Sequence, residues 1–165
     1  MGFLSNFGQS IVNQAGLNQA AAKHGDSNMV RAEALSAILS MPVAIAAPDG
    51  VMDDATGEVL SEILLSVPLL RPFGADQMQV LTTEILAELA TRGADVVMRA
   101  GVSAMTMTER RFALRLAMQM AQENPVFQIG DVLFLVEMQG AMGIQEDEFA
   151  LFADAQGLFA RQSAA

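Results

Sequence analysis

Ala46-Ala47-Pro48-Asp49-Gly50-Val51-Met52-Asp53-Asp54-Ala55-Thr56 is the stretch from which the fold can be read. Proline presets one backbone angle, an aspartate side chain bonds the backbone just beyond it, and glycine takes conformations closed to other residues, so Pro48-Asp49-Gly50 reads as a turn. Asp53 or Asp54 then caps a helix, since a short carboxylate there accepts from the free N–H groups of the first turn. Upstream, Val30, Ala34, Ile38, Met41 and Ile45 recur at helical spacing, which predicts a helix over about 29–46 with one apolar face and a kink at Pro42. Downstream, Leu60, Ile63, Leu64 and Val67 form a second apolar face, stopped by Pro68 and Arg71-Pro72-Phe73-Gly74. The stretch is the bend of a helical hairpin.

The same periodicity extends outward. A helix over about 75–91 presents Met78, Leu81, Ile85 and Leu89, and a shorter one over 94–104 is expected to be interrupted at Gly101. Thr106-Met107-Thr108-Glu109 has the spacing of a capping box, in which hydroxyl and carboxylate each satisfy a backbone N–H at the other's position. That helix turns Phe112, Leu116 and Met120 inward and breaks at Asn124-Pro125. Another, about 128–142, closes at Gly143, and Glu146-Asp147-Glu148 opens a last one carrying Phe149, Phe152 and Phe159, its acids suited to the positive end of a helix dipole. Before the hairpin, Phe3, Phe7, Ile11 and Ala15 mark a short amphipathic helix, separated by a polar break at residues 23–28. No useful length alternates with period two. The expectation is all-α: a compact bundle of about seven or eight helices in a domain over 26–160, with an arm at 1–25 and a tail at 161–165.

Composition narrows the chemistry. The 165 residues are 52% apolar, with no cysteine and one histidine, so thiolate chemistry and cysteine-ligated metals are excluded, and every histidine-dependent triad would have to use His24. His24 lies in the polar break and reads as an exposed linker residue. Nine basic residues against nineteen acidic ones give a net charge of −10, which opposes nucleic-acid binding. Asn6 stands where a myristoylation signal wants Ser or Thr, and uncharged, amide-rich residues 1–22 do not read as a secretory signal. No apolar run approaches the roughly 18 residues of a spanning helix. A cytoplasmic protein is expected, with peripheral contact at the inner membrane as a further option for the arm.

At an offset of 75 residues the hairpin recurs: Ala46 matches Ala121, Asp49 Asn124, Val51 Val126, Met52 Phe127, Leu60 Leu135, Glu62 Glu137 and Ile63 Met138. With Asp49-Gly50-Val51-Met52-Asp53 in the first turn and Met142-Gly143-Ile144 closing the second hairpin, the chain resembles the tellurite-resistance TerB-like family over about residues 29–153. The resemblance implies two hairpins related by a pseudo-twofold, a stress-response role and a divalent cation, Ca²⁺ or Mg²⁺, held by acids of the two turns. Here those acids are Asp49, Asp53, Asp54 and Asp131. Thr56 stands where the family has glutamate, and Asn124-Pro125 replaces Asp-Gly, so any site is expected to be weak or lost, because Ca²⁺ wants roughly 6–8 oxygens. The same residues read equally as a turn and a helix cap. An EF-hand is excluded: counting from Asp49, its sixth position is Asp54 and its twelfth Leu60.

Other features bear on partners. Arg110, Arg111 and Arg115 crowd one helix without acidic partners four residues away, which suggests docking of an acidic face or an anionic ligand; pairing within the fold is the alternative. Phe3 and Phe7 of the uncharged arm suit packing on the domain, on a partner or on a membrane surface, although the lysines that usually attract anionic lipid are missing. Twelve methionines read as core or adaptable interface rather than a copper site. Glu58 and Glu62 are paired carboxylates four apart on a surface face, where solvation is the ordinary explanation. The expected function is a non-enzymatic module acting through other proteins or through self-association, with weak cation binding, or else an assembly subunit that kept the fold and lost the metal.

Overall fold

The computed structural model describes residues 31–124 and 128–155. Phe3, Phe7, His24, the rest of the arm and polar break, Phe159 and the tail lie outside the described residues. Among the described residues seven α-helices follow one another: α1 Ala32–Ala46, α2 Asp54–Ser66, α3 Ala75–Arg92, α4 Ala94–Ala104, α5 Met107–Glu123, α6 Ile129–Met142 and α7 Glu146–Ala155. A 3₁₀ helix, Pro68–Phe73, joins α2 to α3; Pro68 suits its first position, and Pro72 has no N–H to make an α-helical bond to the Pro68 carbonyl. Among the described residues there is no strand. The all-α expectation is met.

The centre of the bundle is α1, and here the one-faced reading is corrected. Leu35, Ser36, Leu39, Ser40 and Val43 are buried along with Ala34, Ile38, Met41 and Ile45, so α1 is enclosed on every side. A helix that is apolar all round belongs in a core, and α1 packs chiefly on α5, then on α4 and α3. Its buried hydroxyls do not offend: Ser40 Oγ donates to the Ala37 carbonyl at 2.7 Å, within the helix itself. The helix also runs through Pro42 without ending.

Gly101 does not interrupt α4; it seats it. A Cβ there would lie 2.8 Å from Met41 Cε and 3.0 Å from Ser40 Oγ, so a larger residue would force those side chains to shift for α4 to stay this close to α1. The two hairpins, α1–α2 and α5–α6, keep the offset read from the sequence, since Asp54 and Ile129 open their second helices. Their first helices pack on each other. Among the described residues, no helix is long and apolar enough to cross a membrane.

Candidate functional site

The first turn is built from backbone requirements. Asp49 Oδ1 accepts from the Val51 N–H at 3.0 Å, closing an Asx turn. Gly50 has φ +79°, and a Cβ on it would fall 2.5 Å from the Leu86 carbonyl oxygen and 2.6 Å from the Ala90 nitrogen. The Asp-Gly pair is thus the point where the hairpin bend lies against the backbone of α3. Asp53 caps α2, accepting from the Thr56 N–H at 2.7 Å, and that bond holds its carboxyl below the ordinary aspartate range. Asp54 is exposed in the first helical turn. Thr56, standing where the family pattern has glutamate, is buried.

In the second turn, Asp131 Oδ2 accepts from the Gln128 N–H at 2.8 Å, half of a capping box. Burial pushes its carboxyl above the ordinary range, against the opposing effect of that bond. Asp49, Asp53 and Asp131 are therefore committed to local backbone. Among the described residues, no three His, Cys, Asp or Glu side chains converge closely enough to hold an ion. A Ca²⁺-like ion needs more oxygens than any such grouping offers, so the acids implied by the family resemblance do not fit one.

The arginines that were expected to face a partner each have one inside the fold. Arg110 donates from Nε to the Val102 carbonyl and from Nη1 to the Met142 carbonyl, both at 3.2 Å, so it ties together the C-terminal ends of α4 and α6. Arg111 forks onto Glu148 of α7, Nε to Oε1 at 2.5 Å and Nη2 to Oε2 at 3.3 Å. Arg115 lies over the Phe152 ring, 4.2 Å from its centroid. Together they fasten α4, α6 and α7 to α5. The alternative reading, pairing within the fold, describes these contacts.

An ion pair that sequence reasoning missed joins Arg31, just before α1, to Glu109 at the start of α5. Arg31 also donates to the Ala104 carbonyl at 3.1 Å. Burial raises the Glu109 carboxyl, but the bonds from Arg31 and from the Thr106 N–H outweigh it and hold the group below the ordinary glutamate range. Glu84, in mid-α3, is the opposite case: burial raises it, and its Oε2 is buried without a hydrogen bond, as is Gln77 Oε1.

What remains is apolar surface. On α6, Ile129, Leu133 and Val136 are 76%, 63% and 46% exposed and fall at i, i+4 and i+7, on one face. Gly140, at i+11, continues it, also exposed, and Glu137, at the flank of the stripe, is the one exposed charge on the helix. The signal was legible: from Val132 to Val136 every residue is apolar, more than one buried face requires.

Among the described residues, fold and surface define a helical bundle with an exposed apolar face on α6. Comparison with family models, characterised proteins and solved structures returns no match.

Proposed function

We propose that this chain is a non-enzymatic helical assembly module, working through protein contacts in the manner of a stress-response subunit, with the TerB-like layout and without its cation site. The observation that carries this reading is the outward stripe Ile129–Leu133–Val136 on α6. A contiguous exposed apolar patch is a surface on which proteins meet one another. The occupant we infer is a second copy. The three stripe residues are uncharged, with Glu137 at their flank, and Gly130 and Gly140 beside them leave room for close approach across a twofold axis. Weak cation binding has no support in the carboxylate geometry, because those groups cap and turn the backbone.

The experiment is light scattering over a concentration series, on the protein and on an Ile129→Ser/Leu133→Ser variant. Dimerisation of the protein that the variant lacks, with unchanged helical circular dichroism, is the expected outcome. A strict monomer, or a dimer indifferent to the substitutions, overturns the proposal.

A further inference from the structure

A second surface lies on other helices. Between α2 and α3 runs an open groove of about 770 Å³. Its floor is apolar: Leu60, Leu64 and Met78 are nearly buried, and Leu65 stands half-exposed at the edge. Its two walls differ. The α2 wall carries Asp54, Glu58 and Glu62, one turn apart, and the α3 wall is neutral, with Gln79, Thr82 and Thr83. No lysine or arginine lines it.

The acidic wall is costly for α2 alone. Like charges four residues apart on a helix destabilise it by about 0.2–0.5 kcal/mol per pair, and Asp54, Glu58 and Glu62 make two such pairs. Only Asp54 recovers part of this from the helix dipole. A bound cationic group relieves the repulsion, and an apolar strip beside it covers the floor. A helix with basic residues along one edge of an apolar face supplies both, and α2, at 13 residues, offers a wall about 20 Å long for it.

A second copy of this chain is a poor occupant. Arg92 and Arg99 pair with Glu88 and Asp95 on their own helices, at 3.0 and 2.9 Å, and Arg110, Arg111 and Arg115 are engaged as described. Among the described helices only the 3₁₀ helix carries an arginine outside such contacts, the exposed Arg71, and a single cation makes no basic edge. We propose that the α2–α3 groove docks a cationic amphipathic helix of another protein, its basic edge against Asp54, Glu58 and Glu62 and its apolar edge on Leu60, Leu64 and Leu65. This site does not use the α6 face, so the two proposals fail separately.

The test is fluorescence anisotropy with three labelled helical peptides of about 14 residues, sharing one leucine face and carrying arginine, glutamine or glutamate along the edge. The arginine peptide binds at least about tenfold more tightly than the glutamine one, the glutamate peptide does not bind, and raising salt weakens the complex. Glu58→Lys/Glu62→Lys, at exposed positions that leave the core intact, loses about tenfold or more in affinity for the arginine peptide. An arginine peptide lacking leucine that binds equally well reduces the groove to a charged patch and overturns the proposal. Equal binding of the arginine and glutamine peptides, or an unaffected double variant, also overturns it.

Discussion

Arg31 and Glu109 meet in a two-pronged ion pair, Nε to Oε1 and Nη2 to Oε2, both at 2.7 Å, across 78 positions of sequence. The same carboxylate accepts from the Thr106 N–H at 2.7 Å and its hydroxyl at 2.9 Å. One side chain thus closes the capping box of α5 and anchors the entry to the central helix. Arg31 is partly exposed while Glu109 is nearly buried, so losing the arginine leaves a desolvated carboxylate.

Arg31→Ala is expected to cost about 1–3 kcal/mol at neutral pH, the range for hydrogen bonds to a charged group left without its partner. Glu109 titrates below the ordinary glutamate value of 4.5, so the pair's contribution is full above that pH and is lost as pH falls through the lower folded value. Urea denaturation of both proteins from neutral to acid pH checks this. The gap should close below about pH 4.5; a gap independent of pH contradicts the assignment.

Gly50→Ala tests the seating of the hairpin bend on α3. The new methyl would overlap the backbone of Leu86 and Ala90, which cannot swing aside, and φ +79° is unfavourable besides. A loss of about 2–4 kcal/mol is expected. Gly57→Ala is the control: its nearest neighbour is Met52 Sδ at 3.6 Å, an ordinary contact, and helix propensity predicts a gain of up to about 1 kcal/mol. Thermal melts of the two variants should move in opposite directions.

Glu84→Gln should raise the melting temperature at neutral pH. Burial raises the folded carboxyl's pKa, so the ionised form burdens the native state, and that burden is relieved as pH falls through the raised value. The advantage of the variant should therefore shrink in acid. A destabilised variant at neutral pH would mean that the carboxylate has a stabilising role that its unbonded Oε2 does not suggest.

Helix positions were legible because caps and apolar spacing act locally. Thr106 and Glu109 marked the start of α5, Asp53 that of α2, and the bundle agrees with both. Burial all round α1 was harder to see, because Ser36 and Ser40 look like a polar face until their packing against α4 and α5 is known. The particular partners of the arginines within the fold were missed for a related reason. Partners were sought one turn away, whereas Arg111 reaches Glu148 and Arg110 reaches the end of α6, contacts that exist only once the helices are assembled. The acids of the turns showed the reverse problem: three of the four that suggested a cation, Asp49, Asp53 and Asp131, serve an Asx turn and two helix caps.

The central claim is that the apolar face of α6 assembles two copies, and sedimentation equilibrium at raised salt tests it most directly. Two chains of net charge −10 repel, so screening should strengthen a contact made through Ile129, Leu133 and Val136. The account predicts twice the 17.5 kDa chain mass, rising in proportion with concentration and salt, and the chain mass alone for Leu133→Glu. A protein that stays at the single-chain mass across the whole range contradicts it.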